Sequence, residues 1–169
     1  MKKRILFLVI LITCFYNYGT AQRLRITGLT WTPTITAITE AGNNYASSTL
    51  QSAANQTLID VRVPNTPGFN GYIIQIRRTD NGTNWDTALL ELSARRTGTG
   101  VSGGGTGSTV TGGDVYQKIT TNNVLFFGGS NANGSFRNDI PIQYQISGIS
   151  VLVPVGTYST TITYTLIDN

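Results

Sequence analysis

The sequence predicts an all-β protein, a sandwich of about eight to ten short antiparallel strands, with a barrel as the alternative. Three observations favour this fold class. Apolar and polar residues alternate with the period of two that is typical of half-buried strands. Gly, Asn and Pro recur between these runs, where turns are needed. After the first 21 residues, no run repeats apolar residues with the spacing of an amphipathic helix.

The first 21 residues have the pattern of a secretory signal peptide. A basic start, 2–4, precedes an apolar run, 5–13, and the small residues Gly19 and Ala21 stand where cleavage requires them. The apolar run is shorter than the roughly 20 residues that cross a bilayer. We therefore expect cleavage after Ala21 and a single domain over 22–169, exported to the periplasm, the cell surface or the medium.

Cys14 leaves a lipoprotein signal open as the alternative, because it also follows an apolar run. Thr13, which precedes it, stands where Gly, Ala or Ser is usual, and this favours ordinary cleavage. Cleavage would remove the only cysteine, so we expect a domain without disulfides that depends on its hydrophobic core.

The charge balance indicates neither nucleic acid nor an anionic membrane as a partner. Three of the 12 basic residues lie in the signal peptide, which leaves nine against eight acidic residues and a formal net charge of +1.

The first strands of the domain follow Ala21. Alternation over 22–31 changes phase at Gly28, which predicts a bulge or a crossing between sheets. The segment 34–39 is rich in β-branched residues, 45–50 fits a short edge strand, and 57–63 alternates apolar and charged residues.

A β-hairpin is predicted around Asn81-Gly82. This pair follows the strand 72–78 and tolerates the positive φ angles of a tight turn, and the strand 85–96 would return beside the first. Such a hairpin would place Arg78 opposite Asp86. It would also separate the Arg-Arg pairs of the two strands by about 25 Å, so no compact basic site is expected.

Glycine dominates the segment 97–113, where it accounts for eight of 17 residues, and this predicts a flexible exposed loop or hairpin tip. Strand patterns resume over 115–120 and 123–127. Since neighbouring strand residues face opposite sides, either Phe126 or Phe127 is expected to be exposed, or covered by a loop or a partner.

The last two strands show the clearest alternation. The segment 140–147 places Ile140, Ile142, Tyr144 and Ile146 on one face. The segment 158–166 has a mainly apolar face and an opposite face of Ser and Thr residues. We expect these consecutive strands to form a pair whose apolar face a second layer covers.

The residue types argue against catalysis. Without histidine or cysteine, the domain lacks the usual nucleophilic triads, imidazole acid-base groups and His/Cys zinc sites. Its carboxylates are scattered over expected turns and solvent faces, at Glu40, Asp60, Asp80, Asp86, Glu91, Asp114, Asp139 and Asp168. We therefore expect no enzyme, no metal and no cofactor, although paired carboxylates of the glycosidase type stay open.

The end of the chain resembles a known family. The run Gly156-Thr157-Tyr158, followed by alternating Thr and apolar residues to Leu166, resembles the terminal strand of the spore coat protein U and archaic chaperone-usher pilin group. The resemblance implies an exported immunoglobulin-like sandwich that a strand from a neighbouring subunit can complete by β-augmentation.

Together these patterns predict a non-catalytic structural or adhesive envelope protein, in homo-oligomers or with other envelope proteins. The candidate strand-exchange residues are Leu24, Ile26, Leu29 and Trp31 as donor, and Tyr158, Ile162, Tyr164 and Leu166 in the closing strand. The favoured interpretation of the run itself is that it forms the first strand of its own sandwich, with the donor role as the alternative. The alternative function is a secreted carbohydrate-binding module in which Trp31 and Trp85 form a platform for sugar rings, although tryptophan in a sandwich is more often a core residue and a core position is the favoured interpretation of both.

Overall fold

The structure is a computed structural model that describes residues 22–34, 48–63, 71–81, 89–104, 107–131, 135–153 and 156–168. Within these ranges the chain forms eleven strands and no helix. The strands are β1 (Arg23–Gly28), β2 (Thr49–Gln51), β3 (Thr57–Arg62), β4 (Gly71–Asn81), β5 (Glu91–Arg96), β6 (Val101–Gly103), β7 (Ser108–Thr111), β8 (Gln117–Lys118), β9 (Val124–Asn131), β10 (Phe136–Ser147) and β11 (Ser159–Asp168). The all-β prediction is confirmed. The signal-peptide segment lies outside the described residues.

Two antiparallel sheets form a β-sandwich. The first sheet has the order β1-β3-β10-β5-β8, and the short strands β2 and β6 also pair with β10. The second sheet has the order β11-β4-β9-β7. No helix in the described part of the chain is long and apolar enough to cross a membrane.

The core lies between the inner faces of the two sheets. Alternate residues of β3, β4 and β10 point inward and are almost completely buried, as the period-two pattern predicts. The best-buried side chains include Ile59, Val61, Tyr72, Ile74, Ile76, Ile140 and Ile142. Each large apolar side chain buried in this way contributes about 1.5–3 kcal/mol.

The predicted hairpin around Asn81-Gly82 is wrong. β4 has β11 along one edge and β9 along the other, so no edge is free for β5, which pairs with β10 and β8 in the opposite sheet. Arg78 is therefore not an exposed cross-strand partner. It is 2% exposed and pairs with Asp80 of its own strand at 3.2 Å. Asp86 lies outside the described residues.

The two last strands alternate as predicted but do not pair with each other. β10 lies in the first sheet between β3 and β5, and β11 lies in the second sheet beside β4. Their apolar faces meet across the sandwich, where the hydroxyl oxygens of Tyr144 and Tyr164 are 2.8 Å apart. Each strand therefore supplies one wall of the core.

The glycine-rich segment is not a flexible loop in its described parts. β6 pairs with β10 and β7 pairs with β9, so the segment passes from the first sheet to the second. Arg96 donates hydrogen bonds to the carbonyl oxygens of Gly98 and Gly112. Arg137 donates hydrogen bonds to the side-chain oxygen and to the carbonyl oxygen of Ser108. Two arginines thus hold the segment against the sandwich.

A β-bulge buries both phenylalanines of β9. Ile74 pairs with Phe127 while the next residue, Gln75, pairs with Leu125, so Phe126 is an extra residue in the strand. Phe126 and Phe127 are 2% and 1% exposed, with ring centroids 5.3 Å apart in an edge arrangement. The prediction that one of the rings is exposed is wrong, because strict alternation fails at a bulge, whereas its alternative, cover by a loop, is not contradicted: Phe127 lies against Gly113.

The phase change at Gly28 marks the end of a strand. β1 stops at Gly28, which pairs with Thr57. A Cβ atom at Gly28 would lie 2.9 Å from Thr57 Oγ1 and 3.0 Å from the carbonyl oxygen of Gln56, so glycine permits the close approach. The segment 35–47 lies outside the described residues, and it contains most of the predicted strands 34–39 and 45–50. The end of the second of these strands forms the start of β2.

Candidate functional site

β1 is a strand held almost entirely by its backbone. It pairs with β3 at six consecutive positions, from Arg23 opposite Arg62 to Gly28 opposite Thr57. None of its side chains is fully buried: Leu24 is partly buried, Ile26 is 46% exposed, and the others are exposed. β1 therefore contributes little to the core although its hydrogen-bonding register is complete.

The predicted donor run divides after β1. Leu29 is 84% exposed, and its carbonyl oxygen accepts a hydrogen bond from Gln56 Nε2 at 2.8 Å. Trp31 instead packs against the core, with its ring stacked on Tyr144 at a centroid distance of 6.4 Å. Leu24 and Ile26 thus share one exposed strand, whereas Trp31 belongs to the interior of its own chain.

β11 is the edge strand of the second sheet. It pairs with β4 at ten consecutive positions without a register shift. Ile162, Tyr164 and Leu166 face inward and pack with the core, while Tyr158 precedes the strand and is half-buried. Thr161, Thr163 and Thr165 face outward. Thr160 Oγ1 donates to the carbonyl oxygen of Thr79, and Asn81 Nδ2 donates to Thr161 Oγ1, which fixes the start of the strand.

The free edge of β11 lacks the features that usually protect such an edge. In the described part of the chain, β11 has β4 on one side and no strand on the other. Its residues from Ser159 to Ile167 include no charge and no proline, the devices by which natural proteins prevent edge-to-edge pairing. β1, in contrast, carries Arg23 and Arg25.

Only one tryptophan of the predicted sugar platform, Trp31, lies in the described part of the chain. Trp31 is half-buried against Tyr144, so its ring face toward the interior is occupied. Trp85 lies outside the described residues. The environment of Trp31 is that of a core residue.

Several of the carboxylates have structural partners. Asp60 Oδ1 accepts a hydrogen bond from the backbone N–H of Asp139 at 2.9 Å, where Asp139 has a positive φ of 54°. Glu91 pairs with Lys118 at 3.1 Å. No group of three or more potential metal ligands occurs among the described residues. These carboxylates stabilise local backbone geometry and surface contacts.

Three buried tyrosines have raised pKa values. Burial raises the pKa of Tyr72 to about 12, against the opposing effect of the Arg137 and Arg96 charges. Burial also raises the pKa of Tyr144, although its hydrogen bonds act in the opposite direction. The pKa of Tyr164 is raised well above its ordinary value by burial and by the neighbouring Tyr144. All three phenols therefore stay neutral in the core at ordinary pH.

The inward position of Arg96 and Arg78 was missed from the sequence. Both continue an apolar alternation in phase: Arg96 follows Leu92 and Ala94 on the inner face of β5, and Arg78 follows Ile76 on that of β4. The phase of each arginine was thus the signal that could have identified it as buried.

Comparison with known proteins finds no matching family model, no matching curated protein and no matching solved structure. The resemblance to the spore coat protein U and pilin group stays a prediction that depends on the residues of the closing strand.

Proposed function

We propose that this chain is an exported, non-catalytic structural or adhesive protein of the cell envelope, whose copies join by exchanging β1. In the assembly, β1 of one copy lies beside β3 of the next and takes the place of that copy's own β1. Residues 1–21 direct export and are removed, and the sandwich is immunoglobulin-like. The resemblance of the closing strand to the pilin group supports this proposal.

The observation that carries the proposal is the contrast between the backbone and the side chains of β1. The strand forms a full register with β3, yet none of its side chains is fully buried: Leu24 is partly buried, Ile26 is 46% exposed, and the others are exposed. Fully burying a leucine or isoleucine is worth about 1.5–3 kcal/mol, so the partly covered Leu24 and Ile26 together contribute less than twice that amount to holding β1 on β3. Exchange between copies then restores every backbone pair that it breaks.

The register of β1 on β3 is specific enough for ordered exchange. Gly28 occupies the position where a Cβ atom would approach Thr57, and Arg25 lies opposite the oppositely charged Asp60. A slip by one residue would move Leu24 to the outer face and place a side chain against Thr57. A neighbouring copy can therefore accept β1 in one register.

A mixing experiment with single cysteines tests the exchange. Thr27 and Leu58 lie opposite each other on the outer face of the β1–β3 pair. Two exported proteins, Thr27→Cys and Leu58→Cys, each with Cys14→Ser, are mixed under mild oxidation. We expect a disulfide-linked heterodimer on a non-reducing gel, because only exchange brings β1 of one chain beside β3 of another.

Thr79→Cys is the matched control, since it places an exposed cysteine on the other sheet. Mixing it with Thr27→Cys should give little cross-linking. The proposal is wrong if the Thr27/Leu58 mixture cross-links no faster than this control, while the double variant in one chain forms its internal disulfide completely. Deleting residues 22–28 should abolish the assembly and leave Trp31 in place.

A further inference from the structure

We propose a second interface, in which the outer edge of β11 pairs with β11 of another copy. The two strands run antiparallel about a two-fold axis at Thr163, so the four-stranded second sheet continues across both copies as eight strands. This contact is separate from the exchange of β1. It joins copies side by side, whereas exchange joins them in sequence.

The shape of the β11 edge favours such pairing. Its ten residues pair with β4 without a register shift, so the backbone groups on its other edge form an uninterrupted row of donors and acceptors. The other edge strands of the described sheets are shorter or charged. β7 has four residues and β8 has two, and β1 carries Arg23 and Arg25. β11 is therefore the edge best suited to accept a strand.

The side-chain pattern of β11 makes a second copy its best-matched partner. Pairing about Thr163 places Thr161 opposite Thr165 on the outer face, so hydroxyls meet hydroxyls. On the core side it places Ile162 opposite Tyr164, a β-branched residue against an aromatic ring. Cross-strand pairs of these kinds contribute about 0.2–1 kcal/mol each. One strand thus supplies both halves of a favourable interface.

Charge also favours self-pairing. Asp168 is the only charged residue of β11. In the Thr163-centred register it lies opposite Tyr158 of the other copy, and the two Asp168 residues are about 33 Å apart at opposite ends of the paired strands. Self-pairing therefore brings no like charges together, whereas a charged partner strand would find no opposite charge between Ser159 and Ile167.

Cysteine substitutions on the outer face of β11 test the register, each made in the exported protein with Cys14→Ser. We expect Thr163→Cys to form a disulfide-linked homodimer, since residues directly opposite in antiparallel strands have Cα atoms about 4.5–5.5 Å apart. Thr161→Cys alone should not, because the two cysteines would be separated by about 13 Å along the strands. A mixture of Thr161→Cys and Thr165→Cys should cross-link.

A charge substitution tests the interface without cross-linking. Thr163→Lys places like charges opposite each other at the two-fold axis, and light scattering should show a lower molar mass, with the remaining assembly joined by β1 exchange alone. Thr79→Lys adds the same charge to the same outer face, away from the edge, and should leave the mass unchanged. A mass unaffected by Thr163→Lys, or equal cross-linking of Thr161→Cys and Thr163→Cys, would overturn the proposal. Preferential cross-linking of Thr163→Cys with Thr165→Cys would overturn the register.

The two interfaces are distinguishable. Deleting residues 22–28 should abolish β1 exchange and leave the Thr163→Cys homodimer intact. Thr163→Lys should leave the heterodimer of Thr27→Cys and Leu58→Cys intact. If the Thr163→Cys homodimer disappears on deletion of 22–28, the β11 contact depends on β1 exchange and the separate interface is refuted.

Discussion

At the scale of single residues, the polar groups in the core form defined contacts between the sheets. The hydroxyl oxygen of Tyr144 lies 2.8 Å from Thr57 Oγ1 and 2.8 Å from the hydroxyl oxygen of Tyr164. These three groups come from β10, β3 and β11, so the chain of hydrogen bonds links the first sheet to the second. A buried hydroxyl without such a partner would cost about 1–3 kcal/mol.

Tyr164→Phe should lower the free energy of unfolding by about 1 kcal/mol, because it removes a buried hydrogen bond while keeping the ring. Tyr116→Phe is the matched control: the hydroxyl of Tyr116 is buried and has no hydrogen-bond partner in the described structure. Its removal should be neutral or slightly stabilising, and the ring stays beneath Arg95. Urea unfolding of both variants measures the difference. An equal loss in the two variants would show that the Tyr144–Tyr164 contact stabilises nothing.

At the scale of elements, the glycines of 97–113 permit close packing as well as tight turning. Gly100 has a positive φ of 67° and lies against the bulge of β10 at Asn138 and Asp139, where two residues oppose Asp60. The sequence shows many glycines but not which of them touch a neighbouring strand. The composition of the segment therefore predicts flexibility. In the structure, the pairing of β6 with β10 and of β7 with β9 holds the segment in place.

Gly100→Ala and Gly112→Ala separate these two roles of glycine. Both positions have positive φ, so alanine costs about 1–2 kcal/mol at each. At Gly100 the new Cβ atom would also lie 2.3 Å from the carbonyl oxygen of Asn138, whereas at Gly112 nothing lies within 4 Å. Gly100→Ala should therefore be more destabilising by about 1–3 kcal/mol, measured as a difference in urea midpoints at constant m-value. Equal costs would contradict the close approach of Gly100 to β10.

At the scale of the whole molecule, the sequence predicts the faces of the strands better than their partners. Alternation identified the inner residues of β3, β10 and β11 because burial on one face imposes a period of two. Which strands pair with each other depends on which apolar faces come together from distant parts of the sequence. The local Asn-Gly signal after β4 could not reveal that β11 and β9 occupy both edges of that strand. Among the described strands, the edge positions of β1 and β11 follow from this topology, so they could be identified only from the structure.

The buried tyrosines predict how the stability of the whole sandwich depends on pH. In the unfolded chain a tyrosine loses its proton near pH 10, whereas Tyr72 in the fold keeps it to about pH 12. Above pH 10 the unfolded state therefore binds fewer protons, and the free energy of unfolding falls as pH rises, by about 1.4 kcal/mol per pH unit for each such tyrosine. Tyr144 and Tyr164 act in the same direction. Urea unfolding between pH 8 and 12 should show constant stability up to about pH 10 and a steep loss above it, and Tyr72→Phe should make that loss less steep. A flat profile to pH 12 would mean that these phenols ionise as easily in the folded sandwich as in the unfolded chain.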